Sequence, residues 1–266
     1  MQGRVLIVAG SDSGGGAGIQ ADIKTVTALG GFAMTAVTAV TAQNTSGVSR
    51  IEYMAPDMVA EQMTMVLEDI GADVIKLGML GNAGIMEAVG QVLAQYPSIP
   101  CIIDPVMVAT SGAKLITPDG EVALAQLYKR CFMLTPNLPE LEVLHGTAIS
   151  SEDDMLEAAR ALARSQGIEW VLAKGGHLPG PHLTDILVNR DTTRLYADGR
   201  IETLHTHGTG CTLASAIATG LAQGLDAPAA VTRARHYVRQ AILQAPSYGK
   251  GTARPMNHLP TSERGL

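Results

Sequence analysis

The chain has 266 residues, 46% of them hydrophobic and 17% charged, which excludes a disordered or collagen-like chain and supplies a large core without a disulfide or metal staple. A net charge of −6 and only 3% aromatic residues argue against a nucleic-acid or anionic-membrane surface, which needs basic patches or stacking rings. Three cysteines, Cys101, Cys131 and Cys211, with no CxxC pair leave no disulfide framework or zinc ribbon to build. In chain order, residues 4–9 read as a buried strand, followed by a Gly/Ser/Asp loop and a helix over 17–29 stopped by Gly30-Gly31. Strands are expected at 32–42 and 48–54, a helix from Pro56 to about 70, a strand at 73–77 and a helix at 83–95. A strand at 101–104, a helix at 118–129 and a strand at 132–135 come next. Helices near 138–144 and 152–165 and a strand at 170–174 follow. Residues 184–205 alternate around polar turns such as Asp198-Gly199 and read as a small β-meander. Helices at 209–223 and 228–244 complete the pattern.

Repeated strand–helix alternation predicts an α/β fold with a mostly parallel central sheet and helices on both faces. No linker or repeat divides residues 1–266, so a single domain is expected. No apolar run reaches the ~20 residues of a membrane span. Residues 1–10 carry no basic leader, so a cytoplasmic location is expected. Ligands of such sheets bind at the carboxyl ends of the strands. Polar, glycine-rich loops stand there, at 10–16, 78–81, 104–112, 136–137 and 175–176.

Chemistry concentrates in these loops. His207-Gly208-Thr209-Gly210-Cys211-Thr212 precedes an Ala-rich helix. Glycines let N–H groups converge on an anion, and the helix start adds partial positive charge. The same position is expected to lower the Cys211 thiol pKa. A glycine turn into a packed helix with a structural cysteine is the plainer alternative. Gly10 to Gly18 forms a second glycine loop opening a helix that carries Asp22. Asp22 reads either as an acceptor for a substrate hydroxyl or as a solvated first-turn acid. Asp104 and Glu140 stand at strand ends, where carboxylates beside phosphates hold magnesium. Asn137 and Glu140 also have capping-box spacing. Lys174 supplies a cation at a further strand end. A metal cluster of His205, His207 and Cys211 is disfavoured because no second ligand pair stands nearby.

The motifs GSDSGGGAGIQADIKT, TAQNTSGV, KLGML, DPVMVATSG, LTPNLPE, KGGH and HGTGCTLASAIA, with a terminal GKGTARPMNHL, together resemble bacterial hydroxymethylpyrimidine kinase/phosphomethylpyrimidine kinase, of the ribokinase-like superfamily. The resemblance runs from about Val5 to Leu259. It implies ATP- and Mg2+-dependent phosphorylation of 4-amino-5-hydroxymethyl-2-methylpyrimidine, and then of its monophosphate, in thiamine biosynthesis by a homodimer. It implies that Gln43 pairs with the pyrimidine's amino and ring-nitrogen edge, with Gly10, Ala17, Asp22 and Met79 around it. Gly208, Thr209, Gly210 and Cys211 match the anion hole, with Cys211 as base or orienting group. Asp104 and Glu140 match magnesium-associated acids, and Asn137 and Lys174 nucleotide-side positions. Two departures stand out: SDSGGG lacks the family's usual proline, and Arg235 stands where some members have lysine. A pyridoxal or pyridoxamine kinase of the same fold and a non-catalytic nucleotide-binding regulator are the rivals. A Cys211/His207 hydrolase accounts for neither the glycine loops nor Asp104 and Glu140.

Overall fold

The computed structural model describes residues 2–108 and 115–261, so the ATSG portion of DPVMVATSG lies outside the described residues. One continuous nine-stranded sheet forms the centre. Its strands are β1 (Arg4–Asp12), β2 (Phe32–Asn44), β3 (Gly47–Tyr53), β4 (Val74–Leu77), β5 (Cys101–Ile103), β6 (Met133–Leu134), β7 (Trp170–Ala173), β8 (His182–Val188) and β9 (Thr193–Gly199). The spatial order is β3-β2-β1-β4-β5-β6-β7-β8-β9. Strands β2, β1, β4, β5, β6 and β7 pair in parallel, and β3, β8 and β9 are antiparallel additions at the two edges. Chain order reverses at β1, whose neighbours are β2 on one side and β4 on the other. The loops after β1 and β4 therefore part there and open a crevice.

Helices cover both faces, as the alternation predicts. Helices α1 (Gly18–Ala28), α7 (Thr209–Ala222) and α8 (Ala227–Leu243) pack with Val5, Ile7, Val74, Ile102 and Leu172. Helices α2 (Pro56–Asp69), α3 (Ala83–Gln95), α4 (Pro118–Leu127), α5 (Leu138–His145) and α6 (Glu152–Gln166) cover the other face with Leu6, Val8, Ile75, Leu77 and Ile103. Successive side chains of β1 thus enter opposite cores, which is why the run VLIVA is apolar throughout rather than alternating. Among the described residues no helix is long and apolar enough to cross a membrane.

The meander differs from the sequence pattern. Its turn is at Asn189, whose side chain accepts the N–H groups of Asp191 (2.9 Å) and Thr192 (2.6 Å). Asp198 and Gly199 are the end of β9, and residues 201–205 leave the sheet. Arg200 causes the departure. Its guanidinium turns back onto the carbonyls of Gly176, Leu178 and Gly180, so the next residues head for the loop before α7. The C-terminal segment crosses the same end of the sheet. Arg254 donates its N–H to the Leu204 carbonyl (2.8 Å), and the Arg254 carbonyl accepts the His207 N–H (3.2 Å).

Candidate active site

A cavity of about 740 Å3 lies at the carboxyl ends of the parallel strands. It is lined by Gly10, Ala17, Gln43 and Met79 at one end, by Gly208 to Cys211 in the middle, and by Asp104, Asn137, Glu140 and Lys174 beyond. All but one of the expected site residues share it. The exception is Asp22.

Helix starts α1 and α7 face this space. Their first residues follow Ala17 and Gly208, neither of which contributes a capping side chain. In α7 the first helical bond is Thr212 N–H to the Gly208 carbonyl (2.9 Å), so the Gly210 and Cys211 N–H groups remain for a ligand. Thr209 is committed elsewhere, its hydroxyl donating to the Thr206 carbonyl at 3.0 Å. Gly208 has φ of 80°, and a Cβ there would overlap the Gly16 carbonyl, so the two glycine loops interlock at this point. A Cβ at Gly210 would sit 3.3 Å from Lys174 Nζ and 3.4 Å from Asp104 Oδ2. The glycine turn before α7 therefore lies directly against the cation and the acid that sequence places 70 residues apart.

Asp104 is buried and its Oδ1 accepts from Lys174 Nζ (2.9 Å) and Thr135 Oγ1 (3.0 Å). Burial works to raise its pKa, but Lys174 and Lys76 outweigh burial and hold it below the usual carboxylate value. Glu140 and Asn137 form the capping box of α5: Asn137 Oδ1 accepts the Glu140 N–H (2.9 Å), and Glu140 Oε2 accepts the Asn137 N–H (2.8 Å). The cap consumes the Asn137 oxygen and leaves its amide N–H groups. Burial pushes Glu140 up to about 7; Lys174 opposes this and Asp104 adds to it. Two buried hard-oxygen donors fit a magnesium ion, which takes one or two carboxylates and completes its shell with water and phosphate oxygens. Among the described residues no group of three or more acids, histidines or cysteines is placed to hold a metal ion, so no all-protein metal cage competes with that reading.

The geometry overturns three expectations. Asp22 neither faces substrate nor is solvated. It is fully buried, with Oδ2 on Lys76 Nζ (2.9 Å) and Oδ1 accepting from Ser215 Oγ (2.7 Å). The second concerns Cys211, whose thiol was expected to be lowered. Burial pushes it up to about 12; Lys76 opposes this, and the Asp22 and Asp104 charges reinforce it. The helix start does not overcome burial among two acids. The third is the meander turn described above. The two histidines have separate partners: His207 Nε2 pairs with Asp12 Oδ2 (2.9 Å), and His205 Nδ1 meets the Pro255 carbonyl (3.0 Å).

Several residues escaped the sequence reading. Asp12 organises the first glycine loop, accepting the N–H groups of Gly14 (2.8 Å), Gly16 (3.0 Å) and Ala17 (2.9 Å). Nothing local marks it, because its partner His207 is 195 residues away. Lys76 carried a readable signal: a lysine within the wholly buried strand VIKL requires a buried anion. Arg235 joins the β-meander to α8 by pairing with Asp185 and Asp198 and lying 5.5 Å from the Tyr196 ring centre. Asp185 in turn accepts the Gly175 N–H at 2.9 Å, which fixes the loop beside Lys174.

Residues 12–257 match the family described as phosphomethylpyrimidine kinase. A hydroxymethylpyrimidine/phosphomethylpyrimidine kinase of Rhizobium meliloti is 43% identical over 257 residues, 96% of each chain. A thiamine biosynthesis bifunctional protein of Geobacter sulfurreducens is 48% identical over 263 residues; the match spans 98% of this chain and 53%, about half, of that protein. Among solved structures, phosphomethylpyrimidine kinase of Clostridium difficile 630 superposes with a TM-score of 0.80 at 38% identity, covering 90% of this chain and 99% of that one. Pyridoxal kinase of Staphylococcus aureus, in complex with AMP-PCP and pyridoxal, gives 0.89 at 30% identity, covering 98% and 95%. The fold is ribokinase-like, and the chain belongs to the phosphomethylpyrimidine kinase family.

Proposed function

We propose that this chain, acting as one kinase unit, transfers the γ-phosphoryl group of ATP to the hydroxymethyl oxygen of 4-amino-5-hydroxymethyl-2-methylpyrimidine, and in a second turnover to the resulting monophosphate. The observation that carries this is the order of groups along one cavity: an amide-bearing pocket, then an N–H-lined turn, then Lys174 with two acids. Gln43 offers the donor and acceptor that an aminopyrimidine edge needs. Gly10, Ala17 and Met79 are its walls. Gly208, Thr209, Gly210 and Cys211 surround the transferring phosphoryl, the free N–H groups of Gly210 and Cys211 meeting the charge that develops on its oxygens. Lys174 and the Asn137 amide face the nucleotide phosphates. Asp104 and Glu140 would hold magnesium, which supplies neutralisation of phosphate charge when bound. With a thiol pKa near 12, Cys211 stays protonated at neutral pH and orients the acceptor hydroxyl; loose phosphoryl transfer asks more for positioning than for proton removal. Asp22 has no place in the substrate pocket.

A second reading, pyridoxal phosphorylation, is favoured by one observation: the pyridoxal kinase of Staphylococcus aureus superposes at 0.89, above the 0.80 of the Clostridium difficile phosphomethylpyrimidine kinase. Sequence identity points the other way, at 43% to the Rhizobium enzyme against 30%. A cytoplasmic homodimer, as in the resemblance, completes the proposal. An assay of Mg-ATP turnover with each acceptor in parallel, products identified by mass, tests it; turnover of neither pyrimidine refutes it, pyridoxal turnover alone leaving the second reading and no turnover at all leaving a nucleotide-binding regulator.

A further inference from the structure

Gln43, the last residue but one of β2, has its amide between two polar neighbours. As placed, its Oε1 lies 3.2 Å from Thr41 Oγ1 and its Nε2 lies 3.5 Å from His207 Nε2. Amide oxygen and nitrogen are nearly isosteric, so which faces which follows from the roles of their partners. The shorter contact of each partner, 2.9 Å in both cases, assigns its role. The Ser11 carbonyl can only accept, and it sits 2.9 Å from Thr41 Oγ1. The single hydroxyl hydrogen goes there, and Thr41 shows Gln43 lone pairs only. On the other side, burial works to raise the Asp12 carboxyl, but hydrogen bonds from His207, Ala17 and Gly14 outweigh it and keep it ionised. An ionised Asp12 only accepts, so His207 Nε2, 2.9 Å away, carries its hydrogen. An amide oxygen toward Thr41 would set acceptor against acceptor there, and donor against donor at His207. A half-turn of the amide removes both conflicts.

We infer that Thr41 and the Asp12–His207 pair are specificity-determining positioning residues, which lock the Gln43 amide with its NH2 toward Thr41 and its oxygen toward His207. The relay runs Gln43 N–H to Thr41, Thr41 O–H to the Ser11 carbonyl, and His207 N–H to Asp12 with Gln43 oxygen as second acceptor. One N–H and one oxygen lone pair are left for the cavity, in fixed order. The acceptor side lies by His207, next to the anion-binding turn, and the donor side lies by Thr41. Resting on the pyrimidine reading above, this selects an edge with an amino group beside a ring nitrogen. It rejects the reversed edge, a ring N–H beside a carbonyl. The ring cannot turn over to compensate, because its hydroxymethyl group must face Cys211.

The test is the ratio of kcat/KM for the 4-amino pyrimidine over its 4-oxo analogue, in the wild type, Thr41→Val and Thr41→Ser. Two mismatched hydrogen bonds predict a wild-type preference of ~10²-fold or more. Thr41→Val keeps the shape but frees the amide, and the ratio is expected to fall at least ~10-fold; Thr41→Ser, with its hydroxyl, is expected to restore it. A Thr41→Val ratio equal to wild type overturns the lock. Should neither pyrimidine turn over, the acceptor assignment fails separately. Neutron diffraction of the deuterated protein then reads the lock by itself: nitrogen beside Thr41 supports it, and nitrogen beside His207 overturns it.

Discussion

Replacing Lys76 by methionine removes one half of a fully buried ion pair. Both side chains are 0% exposed, with Lys76 Nζ 2.9 Å from Asp22 Oδ2. Burial alone works to lower the Lys76 pKa, but Asp22, Cys211 and Asp104 outweigh it and raise it, so the ammonium is charged throughout the working range. Methionine fits the volume, so no large cavity contributes. The loss comes from Asp22, left between β4 and α7 with Ser215 as its one remaining side-chain partner. Removing one member of such a pair costs about 3–5 kcal/mol, a large share of a total stability of about 5–15 kcal/mol. At an m-value of about 3 kcal/mol/M, a 4 kcal/mol loss lowers the urea midpoint by roughly 1.3 M. The double variant Lys76→Met with Asp22→Asn leaves no buried charge unpaired, so its loss is expected to be well below the sum of the two single losses. Urea unfolding followed by circular dichroism measures all three. A single loss under about 1 kcal/mol, or strict additivity, refutes the argument that the two charges exist for one another.

Cys211→Ala is expected to lower kcat on the pyrimidine ~10²-fold, and less on its monophosphate, whose acceptor is already an anion; unchanged kcat in steady-state assays refutes a role for the thiol. Since the thiol is pushed up to about 12, alkylation of Cys211 by iodoacetamide should show no ionisation midpoint between pH 6 and 9, and a midpoint there contradicts the burial argument. Gly208→Ala must adopt φ near 80° and overlap the Gly16 carbonyl; the left-handed strain alone costs about 1–2 kcal/mol, and kcat is expected to drop at least ~10²-fold as the turn shifts. For Glu140, the folded pKa of about 7 stands above its usual 4.5. The folded protein therefore binds more protons in that window, and stability falls as pH rises through it, by about 3 kcal/mol. Glu140→Gln should flatten that slope in magnesium-free thermal melts and raise the magnesium concentration needed for half-maximal rate; an unchanged slope refutes the assignment.

Much of the fold was legible in the sequence because its signals are local. Pro56 opens α2, Gly30-Gly31 ends the α1 region, and the doubly buried strands read as apolar runs. The capping box at Asn137 and Glu140 was visible from spacing, and it coexists with the place of both residues in the cavity. The failures share a cause: each depends on a partner distant in sequence. Asp22 reads as a surface acid until Lys76 and Ser215, from β4 and α7, close over it. The Cys211 pKa follows helix-start logic until the burial supplied by the packed helices reverses it. Asp198-Gly199 is a turn dipeptide in isolation, yet Asn189 supplies the better turn and Arg235 holds Asp198 in the strand. The glycine turn before α7 was visible as a motif, but its contact with Lys174 and Asp104 exists only in the fold.

The most direct test of the account is a coupled assay with Mg-ATP, offering 4-amino-5-hydroxymethyl-2-methylpyrimidine, its monophosphate and pyridoxal in parallel, with products weighed by mass spectrometry. Both pyrimidines are expected to be phosphorylated, to the monophosphate and the diphosphate, at a kcat/KM above that for pyridoxal. Phosphorylation of pyridoxal alone would contradict the account, showing that the cavity's phosphate end was read correctly and its Gln43 end was not.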